Sequence, residues 1–294
     1  MKPLNPGQGY TKEALQEIFS TNFGARIKGI TLRKDSEGRP YALVFSRANG
    51  PYADRLEADE FYYDGEGSGK DQELTPANKA LIEANRTSRL LYGFRQEVNG
   101  GLWHYLGILE AIDYAYITKR GYKTYEFHFR IQPVAPSELN DANKVIEDVS
   151  LAEPELTEDS KITTVSVKAR KAAFRLRVIQ LYDNTCAVCE KKRGSPSGYP
   201  EVEAAHIYPK GKQGADDYRN GIALCRLHHW AFDAGLFTIS DDLKVIVRAG
   251  LRQDDNYYEI TRYEGKVILK PAIPSFAPAQ IYLAAHRALH GFAK

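Results

Sequence analysis

The three cysteines of the chain all fall between positions 186 and 225, and their spacing is that of metal ligands. Cys186 and Cys189 form a CxxC, and Cys225 and His228 form a CxxH further on. Two such knuckles offer three thiolates and one imidazole, a donor set suited to tetrahedral zinc. A tight turn under each pair would let both donors reach the same ion. The segment that carries them is short and polar, with little core of its own, so a structural metal would hold it together. An odd number of clustered cysteines does not read as a disulfide framework. A redox CxxC would need a βαβ setting that the sequence does not supply. The plainer alternative is three buried thiols and a surface histidine; that one pattern uses every cysteine favours the metal.

Between the knuckles lies Glu203-Ala-Ala-His206, then Asn220, and the second knuckle runs on through His229 to Asp233. Over about 170–240 the chain resembles the HNH (ββα-metal) nucleases. In that motif a histidine ends the first strand of a hairpin, an asparagine follows in the second strand, and a histidine begins the helix. The counterparts are His206, Asn220 and His229, at intervals of fourteen and nine residues, followed by an HHxxFDxGL tail. The resemblance implies phosphodiester hydrolysis, which needs a nucleophilic water and positive charge near the leaving oxygen. His206, if neutral, would take the proton of that water. Asn220 would bridge the loop and orient the imidazole through a hydrogen bond. His229 would bind a divalent ion, Mg²⁺ or Mn²⁺, and Asp233, one helical turn on, would join it. Ala205 stands where many members of the family carry an Asp or His as a further ligand, and Glu203 on the same strand face is the replacement at hand.

A second set of residues lies far upstream. Tyr63-Asp64-Gly65-Glu66-Gly67 precedes Asp71-Gln72-Glu73-Leu74, which runs on to Asn78, Ala80 and Leu81, and Phe127-His128-Phe129-Arg130 comes later. These runs resemble the SRA (YDG) domain over about 20–135. That family extrudes a modified cytosine from duplex DNA, at a cost of a few kcal/mol. Stacking on both faces of the base offsets it, and a carboxylate accepts from the exocyclic amine. The resemblance assigns the stacking rings to Tyr63 and Tyr52 and the carboxylate to Asp54. Asp64 stands where many members have a small hydroxyl residue, which bears on how a 5-substituent such as hydroxymethyl is accommodated. The plainer reading makes Tyr52, Tyr62 and Tyr63 strand aromatics and Asp54 a turn cap. Arg47, Arg86 and Arg89 are candidates for phosphate contacts.

What must position these groups follows from length and pattern. The 294 residues suit two domains, and 43% hydrophobic with 27% charged residues excludes a membrane protein, a collagen and a wholly disordered chain. No run reaches the roughly 18 apolar residues of a membrane span, and the first twenty residues lack a signal-peptide core, so a cytoplasmic protein is expected. The net charge of +2 conceals an acidic stretch at 133–160 and a basic one at 165–193. The acidic, proline-bearing stretch reads as a linker over 136–164, between an SRA-like domain at 1–135 and an HNH domain at 165–294. Strands are expected at 41–46, 60–65, 89–94, 102–112 and 123–131, and a helix from Pro76 to about Arg86 capped by Thr75. Further on, a helix over 167–182 would bury Phe174, Val178 and Leu181. Strands at 243–249 and 265–271 and a closing helix at 281–292 would follow.

The expected class is therefore α+β: an SRA-like (PUA-type) curved β-sheet or partial barrel, then a zinc-stabilised HNH domain. Its expected partner is double-stranded DNA carrying 5-methylcytosine or 5-hydroxymethylcytosine. A homodimer would account for double-strand breaks, because one HNH site cuts one strand. Two rivals stand beside this reading. One is a nuclease reading another mark, such as a phosphorothioate backbone. The other is a non-catalytic reader whose HNH module is only a scaffold, which Ala205 favours.

Overall fold

The computed structural model describes residues 4–36, 38–87, 89–157, 165–196 and 198–292. It resolves into two compact units, Met1–Ser137 with Gly194–Tyr199, and Glu138–Arg193 with Pro200–Lys294. Among the described residues no helix is long and apolar enough to cross a membrane.

The first unit runs β1 (Gly9–Tyr10), α1 (Lys12–Ile18), β2 (Ile30–Lys34), β3 (Pro40–Arg47), β4 (Arg55–Glu57), β5 (Glu60–Asp64), α2 (Pro76–Ile82), β6 (Leu90–Gln96), β7 (Trp103–Lys119) and β8 (Tyr122–Gln132). One sheet holds all eight strands, in the order β2-β3-β6-β7-β8-β5-β4 with β1 on β7. Only the β3–β6 pair is parallel. It sits where both faces are covered, as parallel pairs require. In β3, Ala42 and Val44 enter one core with Phe61, Leu81, Phe127 and Phe129. Leu43 and Phe45 enter the other with Leu15, Ile18, Phe94 and Trp103. That is the two-residue period of a strand buried on both sides. Register shifts at Gly93/Phe94 and Ala111/Asp113 put bulges into β6–β7 and β7–β8, which bend the sheet. Thr75 caps α2 by accepting from the Asn78 N–H, with Pro76 in the first turn, as expected.

The second unit begins within α3 (Pro136–Leu151), which lies inside the acidic stretch. This sixteen-residue helix buries Leu139, Ala142, Ile146 and Ser150, a stripe at helical spacing. Composition hides it because four small or aliphatic contacts are enough to seat a helix whose other faces are acidic. Residues 158–164 of the expected linker lie outside the described residues. Next come α4 (Val167–Leu181), the hairpin β9 (Glu203–His206) and β10 (Gly221–Leu224), α5 (Arg226–Asp233), the hairpin β11 (Phe237–Ile239) and β12 (Val245–Val247), α6 (Tyr258–Thr261) and α7 (Gln280–Leu289). Phe174, Val178 and Leu181 are buried as expected, and so is Arg170, on a helix whose basic residues read as a solvent face. The strand expected at 265–271 is not formed. Its backbone donors go to two separate partners, Ile268 N–H to Leu243 O and Leu269 N–H to Ala187 O, and only a single bridge, Lys244 to Val267, results.

Candidate active site and base-reading loop

The two knuckles converge. Ligand atoms of Cys186, Cys189, Cys225 and His228 all lie within 4.8 Å of one another, and among the described residues no other group of three such side chains gathers so closely. Cys225 is the residue before α5, which puts His228 in that helix's first turn. The His228 Nδ1 is 3.0 Å from Cys225 Sγ and 3.6 Å from Cys186 Sγ, while Nε2 is 3.3 Å from the Glu259 carbonyl. An N–H on Nε2 donated to that carbonyl leaves the Nδ1 lone pair facing the sulfurs, the outer support a metal-bound imidazole needs. Cys186, Cys225 and His228 are buried. Three sulfurs and one nitrogen in one sphere fit a structural metal of the zinc type.

The hairpin and α5 form the ββα arrangement. β9 and β10 pair with Gly221 opposite His206 and Leu224 opposite Glu203. A Cβ on Gly221 would lie 2.5 Å from Val178 and 2.9 Å from Phe174, so glycine is what lets α4 press onto the hairpin. The result is a stack: the Phe174 and His206 rings are 4.0 Å apart and 10° from parallel. The His206 Nε2 is 3.1 Å from Asp216 Oδ1. Asp216 is buried, with Lys210 Nζ at 2.8 Å and Arg170 Nη1 at 3.5 Å. Burial alone would raise its pKa, but hydrogen bonds from His206 and Lys210 hold the carboxyl at about 2.

Asn220 is fully buried in the turn before β10, and its amide is spent on backbone. Oδ1 accepts from the Tyr208 N–H at 2.8 Å, and Nδ2 donates to Ala215 O at 2.9 Å and Tyr208 O at 3.1 Å. It therefore bridges the loop, as expected, but the expected bond to the imidazole is not made. Asp216 and the ring of Phe174 hold the imidazole instead. On α5, His229 Nδ1 is 2.7 Å from Glu203 Oε2, and its Nε2 is 3.4 Å from Asp233 Oδ2. Glu203, His229 and Asp233 are thus neighbours, though His206, His229 and Asp233 do not close into one coordination sphere. Sequence reasoning missed Asp216, which reads as half of an Asp-Asp turn, and Phe174, which reads as core.

In the first unit the runs that carry the SRA resemblance include residues that act as staples. Gln72 Nε2 donates to Gly65 O and Gly67 O, and its Oε1 accepts from Tyr125 N. Asn78 Oδ1 accepts from Glu66 N, and its Nδ2 donates to Glu66 O and Glu73 O. Together they fix the Tyr-Asp-Gly turn. Asp54 and Asp64 clasp each other's backbone: Asp64 N–H donates to Asp54 Oδ1 at 2.9 Å, and Ala53 N–H donates to Asp64 Oδ2 at 2.9 Å. Lys119 Nζ is 2.6 Å from Asp64 Oδ1 and also bonds Glu126. Burial pushes the Asp54 carboxyl up to about 6, against hydrogen bonds from Ser46 and the Asp64 N–H. Tyr52 is half-buried, and its hydroxyl accepts from Gly67 N–H.

Tyr63 corrects the expectation. It is 1% exposed and sits in the sheet core beside Phe61, because β5 alternates Phe61 and Tyr63 inward with Tyr62 outward. Its hydroxyl would be 2.6 Å from a Cβ at Gly29, so glycine makes room for it. The ring thus offers no free face to a base. A cavity of about 900 Å³ adjoins the neighbouring segment and is lined by Arg26, Arg47, Asn49, Gly50, Pro51 and Trp103 among others. It does not include Tyr52, Asp54, Tyr63 or Asp64.

With this geometry in hand, comparison with known proteins assigns both units. Residues 7–151 match the family described as ScoMcrA-like, SRA domain, and residues 186–240 match the family described as HNH endonuclease. Among solved structures, a modification-dependent TagI restriction endonuclease shares the fold at a TM-score of 0.55 and 19% identity, over 97% of this chain and 93% of that one. An SRA domain of SUVH5 in complex with methylated CHH DNA gives 0.37 at 24% identity, over 45% of this chain and 92% of that one. The type IV phosphorothioation-dependent restriction endonuclease ScoMcrA gives 0.34 at 17%, over 80% and 56%. No curated protein matches the chain. The class is set by the pair of domains: an SRA module joined to an HNH nuclease. The chain thus carries a ScoMcrA-like SRA domain at residues 7–151 and an HNH endonuclease domain at residues 186–240.

Proposed function

We propose that this enzyme cleaves double-stranded DNA marked with 5-methylcytosine or 5-hydroxymethylcytosine, reading the mark by extruding the base into its SRA module. Asp54, in its ionised form, accepts from the cytosine amine, and Tyr52 supplies the ring that covers the base. Asp64 and Tyr63 serve from behind, Asp64 by clasping the Tyr52–Asp54 loop and Tyr63 by filling the core beneath it. The half-buried carboxylate, two residues from a half-buried tyrosine and fixed by the Asp64 N–H, supports this role.

The cutting step falls to the ββα motif. A hydrogen bond from His206 Nε2–H to Asp216 leaves Nδ1 to take the proton of the attacking water. Asn220 acts by holding the loop that carries Asp216. His229 and Asp233, with Glu203 in place of the side chain Ala205 lacks, would hold the catalytic Mg²⁺ or Mn²⁺. When bound, such an ion stabilises charge on the leaving oxygen. Cys186, Cys189, Cys225 and His228 would hold structural zinc, on whose presence the hairpin–helix junction depends. We assign the enzyme to the cytoplasm, acting on both strands as a homodimer.

The observation that carries this reading is the ordered His206 ring, stacked, oriented and partly open, at the end of a hairpin in an HNH domain that follows an SRA domain. Its test is digestion of one duplex sequence in four forms: unmodified, 5-methylated, 5-hydroxymethylated and phosphorothioated. Cleavage of the two cytosine-modified forms alone is expected. Cleavage of the phosphorothioated form alone would transfer the activity to a backbone mark.

A further inference from the structure

The HNH resemblance names a histidine, an asparagine and a second histidine; it says nothing of a carboxylate beside the base. We propose that Asp216 is a positioning residue of the cleavage reaction, fixing the ring orientation and tautomer of His206 so that Nδ1 is the proton acceptor. This rests on His206 being the general base.

Two restraints act on the His206 ring. Phe174 holds its plane, with the rings 10° from parallel and 4.0 Å apart. A stack alone still allows the ring to rotate in that plane. The second restraint removes this freedom: Asp216 Oδ1 lies 3.1 Å from Nε2. A carboxylate accepts only, so the Nε2 proton is placed there and the Nδ1 lone pair is left for the water. As the base takes a proton, the imidazolium gains a negative partner at hydrogen-bond distance.

Asp216 is suited to the task because it is itself fixed. It is 5% exposed, and the charged groups that face it come from three elements: His206 at the end of β9, Lys210 in the loop after it, and Arg170 from α4. Its neighbour Ala215 is tied by its carbonyl to the buried Asn220 amide, and Asp217 caps the turn that holds Asn220. The asparagine of the motif thus reaches the histidine through Asp216. Lys210 competes with His206 for the negative charge of the same carboxyl group, since it bonds Asp216 Oδ2 while His206 bonds Oδ1.

The competition gives a test with opposite signs. Asp216→Asn keeps the shape and removes the charge. It should lower kcat on the order of 10- to 100-fold, leave KM for the DNA unchanged, and move the acid limb of the pH–rate profile to lower pH. Lys210→Met removes the competing cation and should move that limb to higher pH. A merely structural role for Asp216 would reduce the amount of active enzyme without moving either limb. Circular dichroism and melting temperature establish folding. Should Asp216→Asn fail to fold, the direction of the shift in Lys210→Met decides the matter. A folded Asp216→Asn enzyme with the parental kcat and profile overturns the proposal, as does a Lys210→Met profile that is unmoved or shifted down. His206→Ala separates the two levels. If it is inactive while Asp216→Asn is unchanged, only the role of Asp216 falls; if it cuts at the parental rate, the base assignment falls first.

Discussion

Replacing Asn220 by alanine removes three hydrogen bonds in a fully buried site: one accepted from Tyr208 N and two donated, to Ala215 O and Tyr208 O. A net value of about 1 kcal/mol per bond gives about 3 kcal/mol, and more if water cannot reach the orphaned backbone groups. For a domain of this size, each kcal/mol shifts the melting temperature by roughly 2–4 °C. The variant should therefore unfold roughly 6–12 °C below the parent in a thermal scan followed by circular dichroism. Below both midpoints it should remain folded yet cleave slowly, because Ala215 precedes Asp216 and the loop that orients His206 loses its tie. Asn220→Asp should be no better: one accepted bond survives, but a carboxylate then faces two carbonyl oxygens. An Asn220→Ala enzyme that melts with the parent yet is inactive would refute this reasoning, since it would place the amide on the substrate rather than in the loop.

Other expectations concern the remaining groups. Chelation of the metal, or Cys189→Ser, should unfold the domain that carries the knuckles, and metal analysis of the parent should return one equivalent of zinc per chain; a stable, metal-free parent would contradict this. Glu203→Gln should raise the Mg²⁺ concentration for half-maximal cleavage on the order of ten-fold, read from a metal titration. Tyr63→Ala should cost about 3–5 kcal/mol in denaturant unfolding, whereas Tyr52→Ala should unfold like the parent but lose discrimination between modified and unmodified duplexes. For Asp54, burial raises the folded pKa from its ordinary 3.8 to about 6. Between these values the folded protein keeps a proton that the unfolded chain has released, so stability falls as pH rises through the window. The loss is at most about 3 kcal/mol, and Asp54→Asn should abolish it in melts taken from pH 4 to pH 7.

Residue types at ligand spacing were the most legible part of the sequence. The CxxC and CxxH knuckles speak for themselves because tetrahedral coordination needs a fixed donor set close together. His206, Asn220 and His229 were legible as a pattern, and the hairpin and helix that position them follow from it. The strands of the first unit were readable from their alternation, as in Tyr125, Phe127 and Phe129 of β8. What alternation could not give was which aromatic faces solvent. Tyr62 and Tyr63 are adjacent and chemically equal, and only the register of β5 against β8 turns Tyr63 into the core. Asp216 was invisible for a different reason: its partner lies ten positions away across a loop, and nothing local distinguishes it from a turn aspartate. The helix at Pro136–Leu151 was masked by composition, since burial of four residues outweighs eight polar neighbours only once a partner surface exists.

The proposed enzyme makes a metal-dependent cut with His206 only where its SRA module has met a modified cytosine. Single-turnover cleavage of a duplex bearing one 5-methylcytosine, beside its unmodified twin, tests both parts at once when parent and His206→Ala are run together in Mg²⁺. The predicted result is rapid cutting of the methylated duplex by the parent, little or none of the twin, and none of either by the variant. Equal rates on the two duplexes, or undiminished cutting by His206→Ala, would contradict it.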